Sequence, residues 1–157
     1  MNIRRTEKDE IRGRSKSDVH RIRRKKRDDK MTTETRLEAD SIGTMEVPAE
    51  AYYGVQALRA KQNFPITGTK LHPVFIRNLA QIKKAAAITN NNAGLLPEDK
   101  ADAIVKACDE VIAGKLAEEF IVDAIQGGAG TSANMNMNEV IANRAGEILG
   151  CPKGSYK

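Results

Sequence analysis

Residues 127–150 read GGAGTSANMNMNEVIANRAGEILG, and this stretch decides the fold. Met137, Val140, Ile141, Ala145, Ile148 and Leu149 recur at helical spacing, which predicts a helix that Gly150 stops. Glycines at 127, 128 and 130 let the backbone in front of that helix come close to a bound group. A helix start also offers unpaired N–H donors and about half a positive charge, so it suits an anion. Thr131 and Ser132 add hydroxyls at the same point. Asn134, Asn136 and Asn138 follow at alternate positions, although asparagine has only mediocre helix propensity. A carboxylate fits better than a nucleotide phosphate, because the run lacks the lysine of GxxxxGK[ST] and its glycines do not make GxGxxG. The same residues also read as an ordinary helix cap supplied by a threonine or serine. Spacing alone leaves both readings open.

Working outward, two more helices precede this one. Pro73 suits a first helical position, and Phe75, Leu79, Ile82 and Ala86 follow as one apolar stripe expected to face the core. Gly94 is expected to close that helix. The next opens at Pro97, with Glu98 and Asp99 in its first turn, where negative charge meets the helix dipole favourably. Ala101, Ile104, Val105, Cys108, Val111 and Ile112 form its buried face, and Gly114 ends it. Cys108 thus reads as a small core hydrophobe. Residues 34–70 read as irregular structure with short extended pieces, since Gly43, Pro48, Gly54, Pro65 and Gly68 recur too densely for a long helix. Tyr52, Tyr53 and Phe64 are expected to plug that segment onto the helical body. The sum is a mainly α domain.

Composition bounds the rest. A chain of 157 residues, 40% apolar and without tryptophan, holds one domain with a modest core. Its longest apolar runs are a few residues, too short for a membrane span or a secretory segment. The net charge of +5 is unevenly placed: residues 1–31 hold 13 basic and 6 acidic side chains, whereas the other 126 residues are net −2. Residues 1–31 are therefore expected to form a disordered basic extension that contributes nothing to the fold, and residues 32–157 the domain. The run Arg21–Arg27 could attract phosphates, but no aromatic residue accompanies it for base stacking, so neither a specific nucleic acid nor a membrane is an expected partner. Cys108 and Cys151 have no histidine at ligand spacing, so no metal site is expected, and both thiols are expected to be reduced.

Residues 128–145, GAGTSANMNMNEVIANRA, resemble the GxGTxxNMNxNEVxANRA block of the fumarase/aspartase superfamily. The resemblance extends to Arg36–Asp40 and Ser41-Ile42-Gly43, to Val47-Pro48 and Ala51–Gln56, and to Asn63-Phe64-Pro65-Ile66. It continues through Lys83–Ala87 and Ala107–Val111, covering roughly residues 34–157. Within the superfamily the aspartate ammonia-lyase branch is the nearer likeness, because Ala129 and Ser132 stand where fumarases typically carry serine and glutamine. The resemblance implies the N-terminal domain of that fold, with short extended segments and the start of the central helical domain. It implies reversible deamination of L-aspartate to fumarate and ammonia in the cytoplasm by a homotetramer with no resident cofactor, a divalent metal being a conceivable activator of the complete enzyme. Thr131 matches the family threonine that contacts a substrate carboxylate, and Gly130, Ser132 and Asn134 stand beside it as further substrate-binding positions.

The family's later blocks, among them the flexible loop with the serine base, would follow Lys157. No catalytic base is therefore assigned, and the chain is expected to be an N-terminal part, inactive alone. A class II fumarase-like hydratase is the alternative, and a small basic-tailed nucleic-acid-binding protein a more distant one.

Overall fold

The computed structural model describes residues 34–156, so the basic extension expected at 1–31 lies outside the described residues. Strand β1 (Thr35–Asp40) pairs antiparallel with β2 (Gly43–Pro48), with Arg36 opposite Val47 and Glu38 opposite Met45. Their connection is tightened by Asp40, whose carboxylate accepts the Ile42 amide at 3.0 Å. The face of β1 that turns inward is charged. Glu38 is 4% exposed, whereas Leu37 points outward. Arg36 donates to Glu38 and to the carbonyls of Pro48, Ala49, Ala51 and Tyr53 at 2.8–3.0 Å, so one guanidinium shapes the whole turn after β2.

Helix α1 (Val55–Asn63) follows, where sequence periodicity indicated only irregular structure. Its buried face is just Val55 and Ala57, and no local side chain caps it. The signal that makes it a helix comes from afar: Glu38 accepts the Val55 amide, and Glu139 accepts the amides of Gly54, Gln56 and Ala57. All four donors that a helix start leaves orphaned are thereby satisfied by two carboxylates. Arg59 grips Asp40 with two nitrogens, at 2.9 and 3.0 Å, and ties α1 to the hairpin.

Helix α2 (Pro73–Asn92) starts as its sequence indicates, with Pro73 at the first position and His72 capping the Val74 amide through Nδ1. Its buried face is turned by about one residue from the expected stripe, of which only Leu79 packs, partly buried, against the core. Ile76, Ala80 and Ala87 are buried, while Phe75 is 46% and Ile82 63% exposed and Ala86 is exposed as well. The small side chains let α3 (Glu98–Ile112) come close, with Ala103 and Ala107 facing the same core, and Phe75 and Ile82 are left outside. On α3 the reading holds for Ala101, Cys108 and Val111, and burial lifts the Cys108 thiol to about 11. Gly94, Gly114 and Gly150 follow α2, α3 and α4 (Thr131–Ile148) with positive φ, as expected of helix ends.

Met137, Val140, Ile141 and Ala145 of α4 close the core over α2 and α3, together with Phe120. Tyr52 and Tyr53 pack against this cluster, as the plug reading requires. A second stripe of α4 is polar and equally buried: Asn136, Glu139 and Asn143. Asn136 bonds the Glu119 carbonyl and the Ile121 amide, and Asn143 bonds the Tyr52 carbonyl and the Gly154 amide. With Glu139, this stripe holds three irregular segments by their backbones.

Candidate functional site

The chain enters α4 through three successive residues with positive φ: Gly128 (71°), Ala129 (47°) and Gly130 (91°). Glycine accepts this at no cost, but Ala129 is strained there by about 1–2 kcal/mol. A side chain at Gly127 would have to push the Phe64 ring aside, since a Cβ would lie 2.6 Å from it. Phe64, at the end of α1, thus seats directly on the turn.

The turn is tied from within. Gly130 is the N-cap position, and Thr131 and Ser132 are the first two helical residues, so neither is the cap that the sequence left open. Gln126 supplies it instead, its Oε1 accepting the Ala133 amide at 2.6 Å. Thr131 gives both its amide and its hydroxyl to the Gly128 carbonyl, at 2.9 and 2.6 Å. A ligand that takes the Thr131 hydroxyl proton must displace the latter bond. The amides of Gly130 and Ser132 donate to no acceptor among the described residues.

Around this turn the four candidate residues come together. Thr131 is exposed, and Ser132 and Asn134 are half-buried. Ser132 also borders an open cleft of about 440 Å³, whose other walls include Asp40, Arg59, Asn63 and Phe64. Asn134 accepts a hydrogen bond from Lys83 Nζ at 2.7 Å. Asn136, in contrast, is fully buried and spent on the backbone of residues 119–121. A larger, mostly apolar groove of about 640 Å³ lies between the start of α2 and the end of α3, and none of the candidate residues lines it.

Asp123 holds the approach to the turn. Its carboxylate accepts the amides of Thr67, Gly68 and Ile125 and the Thr67 hydroxyl, at 2.7–2.8 Å. Burial alone would raise its pKa, but these donors outweigh it and bring the group down to about 2. Glu139 shows the opposite balance. Burial dominates and pushes its carboxyl above the ordinary value, despite the three amides it accepts. Sequence reasoning missed Asp123, Glu139 and Gln126, because nothing local marks a side chain that bonds a distant backbone. The strip offers donors and no general base: His72, the only described histidine, caps α2.

Comparison with known proteins places this geometry. A family model described as Lyase matches residues 43–155. An aspartate ammonia-lyase of a Bacillus species is 57% identical over 126 residues, covering 80% of this chain and 27% of that protein. A class II fumarate hydratase of Halobacterium salinarum is 55% identical over 120 residues, 76% of this chain and 26% of that protein. The crystal structure of a fumarate lyase:delta crystallin from Brucella melitensis superposes with a TM-score of 0.77 at 54% identity, covering 78% of this chain and 29% of that one. The chain spans about a quarter of the length of the curated relatives it matches. With the matched residues running from the hairpin to the end of the described fold, the chain belongs to the Lyase family, the fumarase/aspartase superfamily to which the 128–145 block points.

Proposed function

We propose that this chain carries the first carboxylate-binding strip of an aspartate ammonia-lyase, which reversibly deaminates L-aspartate to fumarate and ammonia. In that reaction a base removes a proton from the carbon next to a carboxylate, and the C–N bond on the neighbouring carbon then breaks. The intermediate dianion needs fixed donors around the carboxylate where its charge collects. The turn at 128–130 carries this reading. It presents the amides of Gly130 and Ser132, which have no acceptor among the described residues, beside the Thr131 hydroxyl, in a chain 57% identical to an aspartate ammonia-lyase over the matched region. Asn134 adds a side-chain amide on the same turn. These groups bind and orient, and the base comes from elsewhere in the complete enzyme.

The reading includes a cytoplasmic homotetramer that needs no resident cofactor, with a divalent metal as an optional activator of the whole enzyme. A class II fumarase is the second reading, favoured by the 55% identity to the Halobacterium hydratase. A chimera decides between them: residues 34–157 replace the matching part of the Bacillus aspartate ammonia-lyase, and fumarate formation is followed by ultraviolet absorbance with aspartate and with malate. Turnover of aspartate is expected, with Thr131→Val lowering kcat/KM by about 10²-fold or more. A Thr131→Val chimera as active as its parent, or one that turns over malate and not aspartate, overturns the proposal.

A further inference from the structure

Lys83 stands in an unfavourable electrostatic place. It is half-buried on α2, and its ammonium donates to Asn134 Oδ1 at 2.7 Å in the first turn of α4. A helix start carries positive charge of its own and favours an anion there, not a cation. The neighbouring Lys84 is paired with Asp109 at 2.7 Å, but Lys83 has no carboxylate within 4 Å among the described residues. An ammonium has only donors, so Asn134 must turn its oxygen to Lys83 and its NH₂ away from it. No acceptor among the described residues takes that NH₂. One full positive charge, one oriented side-chain amide and two backbone amides therefore share one helix turn, with no negative partner among the described residues.

We infer that Lys83 is a positioning residue of the carboxylate strip: it fixes Asn134 as a donor and supplies the charge that draws a dicarboxylate to the turn. This rests on the carboxylate reading of Thr131 and its neighbours. The role is electrostatic and directional, so arginine can fill it and methionine, which keeps the aliphatic stem, cannot.

Thermal unfolding of the full chain in increasing fumarate tests it, because a ligand that binds the folded state raises Tm. Fumarate is expected to raise the Tm of the parent. Lys83→Met should lose most of that rise, and Lys83→Arg should keep it. Asn134→Asp, which gives Lys83 a carboxylate of its own, should also lose the rise and serves should Lys83→Met fail to fold. A merely structural role for Lys83 would move the fumarate-free Tm and leave the increment intact. An increment in Lys83→Met or Asn134→Asp equal to the parent's overturns this inference alone. No increment in the parent overturns the carboxylate reading, and this inference with it.

Discussion

Replacing Glu139 by alanine should unfold far more than one side chain's worth of structure. Glu139 is 5% exposed and accepts three amides of the α1 start, at 2.8, 2.9 and 3.0 Å. Hydrogen bonds to a charged group contribute about 1.5–3 kcal/mol each, and donors left buried without a partner cost about 1–3 kcal/mol apiece. Part of that is offset by the cost of burying the carboxylate, the same cost that raises its pKa. Freed amides at a helix start can also recruit water. The net loss comes to about 3–5 kcal/mol, a third or more of the stability of an ordinary domain. For a domain of this size that is a fall of about 10–20 °C in Tm. Circular dichroism at neutral pH measures it, and amide exchange at Gln56 and Ala57 should accelerate more than at Val140. Glu118→Gln, on an exposed carboxylate paired with Lys70, is the control and should shift Tm by only a degree or two, as exposed ion pairs contribute about 0–1 kcal/mol. A Glu139→Ala protein that melts within about 3 °C of its parent refutes the two-carboxylate account of α1.

Gly127→Ala should destabilise the chain, because its new Cβ meets the Phe64 ring at 2.6 Å. Combined with Phe64→Ala it should cost less than the sum of the single changes, and a strictly additive pair in thermal unfolding would contradict the contact. Asp123 sits near 2 in the folded state against an ordinary 3.8, so its contribution is full above pH 4 and lost as pH falls through about 2. Asp123→Asn should flatten that part of the stability–pH curve, and an unchanged acid limb would count against the role. The outward stripe of α2 should drive self-association at micromolar concentration and above. Phe75→Glu with Ile82→Lys should suppress it in light scattering, and a parent that runs as a clean monomer would show that this face needs no cover.

The apolar stripes of α3 and α4 were legible in the sequence because each gathers on one face, whereas the buried polar stripe Asn136–Glu139–Asn143 of α4 carries no such signal. On α2 two stripes compete, Phe75–Leu79–Ile82–Ala86 and Ile76–Ala80–Ala87, and hydrophobic size favours the first, of which only Leu79 packs on the core. Close approach of α3 selects the alanines, a choice that depends on the partner helix. The hairpin was legible only as extended pieces, since β1 turns Glu38 inward and Leu37 outward, inverting the usual alternation. Helix α1 was invisible for a related reason: its caps are Glu38 and Glu139, 17 and about 80 positions away in the chain. At the candidate site the glycine turn and helix start could be read directly. Gln126 as the true cap and Asn136 as a structural asparagine could not, because each depends on where a backbone group from another segment arrives.

Arg36 gives the turn after β2 an unusual independence from its own residues. Its flat fork gathers four carbonyl oxygens spread from Pro48 to Tyr53, so the path of that loop is dictated by a side chain on the preceding strand. The exposed Glu50 side chain is correspondingly free to change character, whereas Ala51, Tyr52 and Tyr53 also pack inward. Lysine in place of Arg36 keeps the charge but offers one point where four directions are needed, and the loop would open although nothing in it had been altered.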